Sequence, residues 1–112
     1  MKPVIPREAA DMDIDLALAY YTGHAPDTAP ALLDALEAAF KAIANRPATG
    51  SPRFAHDLDL PGLRGWIVKR FPYIVFYIEH EASIDVLRVL HQSRDIPAEL
   101  TDSPNVPPTH DE

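Results

Sequence analysis

Apolar residues recur with a helical period in the first half of the chain. From Arg7 onward they return at spacings of three and four, which predicts an amphipathic α-helix. Its predicted buried face consists of Met12, Leu16, Ala19 and Tyr20. Acidic residues occupy the first turns, where they complement the helix dipole. Gly23 ends the predicted helix.

A second apolar stripe predicts a second helix of similar length. Asp27 or Thr28 can cap its start, and Arg46-Pro47 ends it because a residue before proline disfavours the α region. The stripe consists of Leu33, Leu36, Phe40 and Ile43. The short connection to the first helix predicts an antiparallel helical hairpin.

Three β-rich runs follow, at about 63–71, 73–80 and 84–91. The middle run is apolar on both faces, as expected of a central strand that is covered on both sides. Residues 2–6 are short and bounded by prolines, which allows only an edge strand or an extended lead-in. The predicted fold class is α+β, with an N-terminal helical hairpin packed on a small antiparallel sheet of three to four strands.

The C-terminal part of the sequence divides at about residue 100. Residues 96–100 predict a short turn of helix, whereas 101–112 are acidic, polar and rich in proline, which predicts a disordered tail. The prediction is therefore a single domain over 1–100 followed by a tail over 101–112.

Composition excludes several classes of function. The 112 residues contain no cysteine, so disulfides, thiolate metal sites and cysteine nucleophiles are absent. The five histidines lack ligand-like spacing, and no serine lies in the elbow of a hydrolase, so we expect no metal, no cofactor and no catalytic residues. No apolar run is long enough for a membrane span, and we expect a cytoplasmic protein.

Cations interrupt the acidic background in one stretch. The net charge is −7, yet Arg64, Lys69 and Arg70 lie in a segment without acids, from 64 to 78. These three residues are candidates for contact with a target or an acidic partner. Ordinary solvated charge on an outer strand is the alternative, because exposed charges need no special function.

Three more candidates lie on or just after the third run. Arg88 is flanked by apolar residues and needs an acceptor, for which Glu79, Glu81 or Asp95 are available. Structural pairing of Arg88 is therefore an alternative to target contact. His91 and Arg94 follow at the strand end, where side chains leave a rigid scaffold, although Arg94 can also fix the exit of the chain.

Two segments together resemble the RelE/ParE toxin superfamily of type II toxin–antitoxin systems. They are RFPYIVFY at 70–77 and VLRVLHQSRD at 86–95. The segment ALLDALEAAF at 31–40 and the exit RPATG at 46–50 are similar to the second helix of that family. The resemblance covers about residues 4–100 and implies the same order of helices and strands.

The superfamily has branches with different activities. The mRNA-cleaving RelE branch uses strand lysines, a central-strand arginine and a C-terminal Arg and Tyr to move a proton and neutralise phosphate charge. Here the central strand has no cation after Tyr73, and no tyrosine follows Tyr77. This departure favours the ParE-like branch.

The resemblance to that branch implies a toxin that inhibits DNA gyrase by binding and forms a hetero-oligomer with a cognate antitoxin. Two alternatives stay open. One is a ribosome-dependent mRNA endoribonuclease that uses a rearranged basic set of Lys69, Arg70, Arg88 and Arg94. The other is a relative that binds its partner but is no longer toxic.

Overall fold

The computed structural model describes residues 1–101, so the predicted tail lies outside the described residues apart from Thr101. The elements in chain order are strand β1 (Val4–Pro6), helix α1 (Glu8–His24), helix α2 (Ala29–Asn45), a 3-10 turn (Pro47–Thr49), strands β2 (Leu63–Ile67), β3 (Tyr73–Glu79) and β4 (Ile84–His91), and helix α3 (Ile96–Thr101). Within residues 1–101, no helix combines the length and the apolar character that crossing a bilayer requires.

The strands form one sheet in the order β1-β4-β3-β2. The pairs β2–β3 and β3–β4 are antiparallel, as predicted, and β1 adds to the edge of β4 in parallel. The backbone N–H of Arg7 continues this pairing by donating to the carbonyl of Val86 at 2.9 Å. The predicted α+β fold with a helical hairpin on a small sheet is confirmed, and the parallel edge strand makes the sheet mixed.

The apolar side chains divide between the two faces of the sheet. On one face α1 and α2 pack over the sheet, and the largest fully buried side chain there is Tyr77. On the other face Phe76, Leu87 and Leu90 are covered by α3 and by the irregular segment between α2 and β2. This second layer explains why the middle strand is apolar on both sides.

The predicted buried face of α1 is wrong. Met12, Leu16 and Tyr20 are 55%, 68% and 54% exposed, whereas Ala10 and Ala17 are buried. The small side chains allow the α1 backbone to approach the sheet, and Ile14, Leu18 and Tyr21 pack beside them, partly buried against the core. In α2 the prediction holds for Leu36 and Ile43, which are buried; Leu32 is buried where Leu33 was predicted.

The turns between strands explain where the strands end. The predicted first run ends at Ile67 rather than at 71, because the chain turns there and the N–H of Val68 bonds to the carbonyl of Tyr73 at 2.9 Å. The β3–β4 turn forms without glycine, closed by the N–H of His80 donating to the carbonyl of Ser83 at 2.8 Å. The short C-terminal helix is present as α3.

Candidate functional site

The six predicted contact residues occupy two separate regions of the molecule. Arg88, His91 and Arg94 lie on or just after β4, beside α1 and α3. The others, Arg64, Lys69 and Arg70, lie on β2 or in the turn that follows it, beside α2 and the segment that precedes β2. The six candidate residues therefore form two groups with different surroundings and not one site.

Arg88 has a structural ion pair. Its Nε and Nη2 atoms donate to the two carboxylate oxygens of Asp13 at 2.7 and 2.8 Å, and its Nη1 donates to the carbonyl of Glu99 at 3.1 Å. The hydrogen bonds to Asp13 raise the pKa of the Arg88 guanidinium. Arg88 thus has the structural pairing that the sequence allowed as an alternative, but its acceptors are Asp13 and Glu99 and not the predicted ones. Asp13 also accepts the N–H of Val89 at 3.0 Å, which ties α1 to β4.

Arg94 and His91 lie closer to solvent. Arg94 forms an ion pair with Glu99, which also lies 3.5 Å from Arg88. The Nδ1 atom of His91 accepts the N–H of Ser93 at 3.0 Å, and the imidazole stands edge-on to the ring of Tyr73. Both residues line a shallow depression next to the exposed residue Leu16 of α1.

Two tyrosines in these regions, Tyr73 and Tyr77, have raised pKa values. Burial raises the pKa of Tyr73, and nearby Tyr21 and Tyr20 contribute to the same shift. Burial also raises the pKa of Tyr77, whose hydroxyl donates to the carbonyl of Pro47 at 2.6 Å and accepts the N–H of Gly50 at 3.1 Å. The hydrogen bonds of the Tyr77 hydroxyl therefore fix the backbone that follows α2.

Arg64 supports the same stretch of backbone. Its Nη1 donates to the carbonyl of Gly50 at 2.7 Å, so the guanidinium is half-buried. The position of Gly50 is tight, because a Cβ atom there would lie 2.3 Å from the Tyr77 hydroxyl. Arg64 and Tyr77 together fix the start of the irregular segment that borders β2.

Lys69 and Arg70 are exposed in the β2–β3 turn. They line a groove against the alanine face of α2, with Asp34 on the opposite wall. Arg70 has a φ of +73°, a left-handed conformation that a residue with a Cβ seldom adopts. The turn holds both side chains outside the sheet, where a partner can reach them.

Three residues of this second region were missed from the sequence. Arg46 lines a groove with Trp66, Ile67 and Lys69, and Arg53 lines another with Ile67 on the opposite face of the sheet. Ile67 itself is 65% exposed. In the sequence, Arg46 served only to mark the end of the second helix, and Arg53 lies in an irregular segment. No periodic pattern of residues therefore indicated that either one contributes to this surface.

The described residues contain no assembled catalytic centre of the predicted alternative kind. Lys69 and Arg70 border α2, whereas Arg88 and Arg94 share Glu99, so the rearranged basic set does not converge. Among residues 1–101, no group of three His, Asp or Glu side chains is placed to hold a metal ion.

The fold is that of a small α+β protein with a helical hairpin over a mixed sheet. Its candidate cations lie in two regions of the surface. The family model described as "ParE toxin of type II toxin-antitoxin system, parDE" matches residues 4–96. The chain therefore belongs to the ParE toxin family of type II toxin–antitoxin systems, as the sequence resemblance predicted.

A solved structure supports the fold independently. A chain from the chromosomal ParDE TA system of P. aeruginosa superposes with a TM-score of 0.67 at 19% identity. The match covers 81% of this chain and 96% of that chain. At this identity the likeness concerns the fold alone. No curated protein sequence matches the chain at a significant level.

Proposed function

We propose that this protein is a toxin that inhibits DNA gyrase by binding it, and that a cognate antitoxin neutralises it in a hetero-oligomer. The observation that carries the proposal is the family match over residues 4–96, which spans α1, α2 and strands β1 to β4. A gyrase target implies action in the cytoplasm.

The ion pairs of β4 support binding over RNA cleavage. Cleavage of RNA needs a general base that takes a proton. It also needs unpaired cations that stabilise the negative charge of the phosphate in the transition state. Here Asp13 and Glu99 neutralise Arg88, and Glu99 also binds Arg94. We therefore propose a structural role for Arg88, whereas Arg64, Lys69, Arg70, His91 and Arg94 remain proposed contact residues.

A supercoiling assay tests the target. Purified gyrase is incubated with relaxed plasmid and increasing amounts of the full chain, with and without the protein encoded by the neighbouring reading frame. We expect supercoiling to stop at toxin excess and to recover when that protein is added. Uninhibited supercoiling at high excess would contradict the proposal.

A parallel translation assay separates the alternatives. Cleaved mRNA in a ribosome-containing extract, with gyrase unaffected, would identify an endoribonuclease. Normal growth on strong expression without an antitoxin would indicate a relative that has lost toxicity. In either case the proposed target is wrong, although the family assignment stands.

A further inference from the structure

The outer face of α1 carries an apolar stripe that the fold leaves uncovered. Met12, Leu16 and Tyr20 follow one another at intervals of four residues, and all three are more than half exposed. Ala19 is exposed beside them. Single apolar side chains are common on protein surfaces, whereas a contiguous exposed patch marks a surface for a partner. The stripe therefore needs an explanation that the packing of the fold does not supply.

One edge of the stripe is lined by acids that have no counterion. Glu8, Asp11 and Asp15 are exposed and form no ion pair within residues 1–101. Their spacing of three and four residues places them side by side along the helix, and like charges at this spacing repel one another. The helix therefore contains a repulsion that a cationic partner would relieve.

The other edge of the stripe borders the shallow depression beside β4. Leu16 and Tyr20 line this depression together with His91 and Arg94, and its volume is about 190 Å³. Glu99 neutralises Arg94 there. The two edges therefore differ, because one is anionic and the other offers space for a side chain of a partner.

Tyr20 is exposed but held in place. Its ring stacks on the imidazole of His24, with the ring centroids 4.1 Å apart, and stands edge-on to the ring of Tyr21 at 5.2 Å. The Nδ1 atom of His24 donates to the carbonyl of Tyr20 at 2.7 Å, which fixes the imidazole. An aromatic side chain whose orientation is set before binding loses little entropy in a complex, as is typical of residues that dominate an interface.

We propose that the outer face of α1 binds gyrase, and that the bound element is a basic amphipathic helix of that enzyme. The inference rests on the proposed function, in which gyrase is the target, and it names the toxin surface and the chemistry of the contact. The contact uses side chains, because backbone groups in the middle of an α-helix are bonded within it. A helix packed on the stripe places apolar residues on Met12, Leu16 and Tyr20 and cations on the acidic edge.

Two other kinds of occupant fit less well. A second copy of this chain that packed through α1 would bring another set of Glu8, Asp11 and Asp15 against the first, without a counterion. A nucleic acid or an anionic lipid surface would meet the same acids and be repelled by them. Charge complementarity therefore selects a cationic protein partner.

The test uses the full chain and purified gyrase, with affinity measured by biolayer interferometry and inhibition by the supercoiling assay. Leu16→Gln removes the apolar centre of the stripe, and Leu16→Met keeps it. Asp15→Asn removes one charge from the acidic edge. Its matched control is Asp57→Asn: Asp57 is also exposed and unpaired within residues 1–101, but its segment covers the opposite face of the sheet from α1.

We expect Leu16→Gln to weaken gyrase binding by at least about tenfold, and Leu16→Met to change it by less than about twofold. Asp15→Asn should weaken binding by about threefold, whereas Asp57→Asn should leave it unchanged. The urea midpoint separates binding from stability. Because Asp15→Asn relieves repulsion from Asp11, its midpoint should not fall.

A cross-linking experiment identifies the bound element directly. The chain contains no cysteine, so Ala19→Cys provides one attachment point for a photoreactive label beside the stripe. We expect the label to couple to a gyrase segment that has apolar residues at helical spacing and lysines or arginines on one face. The same label at Asp57→Cys should give no such product. Coupling to an acidic or an extended segment would contradict the proposed chemistry.

The outcomes distinguish the inference from the proposed function. Full-strength inhibition by both Leu16→Gln and Asp15→Asn would overturn the inference and leave the proposed function intact. Wild-type protein that neither binds nor inhibits gyrase would count against both. A wild-type dimer that Leu16→Gln converts to monomer would show that a second copy covers α1. Loss of binding to the protein encoded by the neighbouring reading frame, with gyrase inhibition retained, would assign α1 to the antitoxin; either of these two results also overturns gyrase binding at this face.

Discussion

Arg70 stands in the β2–β3 turn with a φ of +73°. For a residue with a Cβ this left-handed conformation costs about 1–2 kcal/mol, and glycine avoids the cost. Strain of this kind persists only when surrounding structure imposes it, and it often coincides with a contact site. In this turn it holds a cation at the mouth of the groove beside α2.

Arg70→Gly should therefore stabilise the fold and weaken partner binding at once. Relief of the left-handed strain exceeds the cost of the higher unfolded-chain entropy that glycine brings, so we expect a net gain of about 0.5–1 kcal/mol in the free energy of unfolding. Urea denaturation measures this gain. Lys69→Gly is the control: its φ is not positive, so the same change should destabilise. A loss of stability in Arg70→Gly would mean that the turn is not strained.

The Tyr77 hydroxyl lies where a carbonyl and an N–H would otherwise lack partners. Tyr77→Phe removes both the bond to Pro47 and the bond from Gly50. A buried group without its partner costs about 1–3 kcal/mol, so we expect a loss of that order near neutral pH. Thermal or urea unfolding at pH 7 checks the magnitude. Tyr73→Phe is a useful comparison, since the Tyr73 hydroxyl forms no hydrogen bond within residues 1–101.

The same substitution should change the response to alkaline pH. Burial raises the folded-state pKa of Tyr77 above its ordinary value of 10.0. Above pH 10 the unfolded chain loses this proton first, so wild-type stability falls as the pH rises through the folded pKa. The destabilisation caused by Tyr77→Phe should therefore shrink above pH 10. A difference between the two proteins that stays constant to high pH would argue against a raised pKa.

At the scale of elements, one ion pair joins α1 to β4. The side chains of Arg88 and Asp13 are only 12% and 10% exposed. Arg88→Met leaves the carboxylate of Asp13 buried without its cation, and we expect a cost of about 3 kcal/mol. Adding Asp13→Asn should recover more than half of that loss, because the amide oxygen can still accept the N–H of Val89. Equilibrium unfolding of the four proteins of this cycle gives the coupling energy.

Additive effects of the two changes would contradict the pairing. A suitable control is Lys2→Met, whose ion pair with Glu79 is about one-third exposed on both sides. A pair of that kind contributes about 0–1 kcal/mol, so Lys2→Met should leave the free energy of unfolding nearly unchanged.

The α1 helix illustrates where pattern reasoning fails. Its existence follows from the periodicity, but the choice of buried face does not, because large apolar residues lie on two faces of the helix. The face with Leu16 is exposed, whereas the face with Ile14 and Leu18 packs on the core, where Ala10 and Ala17 allow a close approach. The acceptor of Arg88 lies 75 positions away in sequence, which no local signal marks.

Strands β3 and β4 were more predictable, since their apolar runs have buried residues on both faces of the sheet. The candidate site was only half predictable. The cations Arg64, Lys69 and Arg70 stood out as a cluster along the chain, but Arg46 and Arg53 join them only through the packing of α2 and the irregular segment against β2.

The whole molecule is polarised in charge despite its net value of −7. Within residues 1–101, ion pairs cancel the cations near β1, β4 and α3, and the unpaired cations other than Lys41 surround β2. A field of one sign on a limited surface steers oppositely charged partners and raises association rates. An acidic partner segment should thus approach the β2 side first.

This layout predicts a steep dependence of antitoxin association on salt. The Debye length falls from about 10 Å at 0.1 M ionic strength to about 3 Å at 1 M, which screens exposed charges but leaves apolar contacts unchanged. We expect the association rate, measured by stopped-flow fluorescence of Trp66, to fall by about an order of magnitude across that range, with a much smaller change in the dissociation rate. The double variant Arg53→Glu with Lys69→Glu should lose most of this salt dependence, whereas Lys41→Glu should retain it. A salt-independent wild-type rate would mean that the unpaired cations around β2 do not guide the partner, and that shape and apolar contact alone bring the two proteins together.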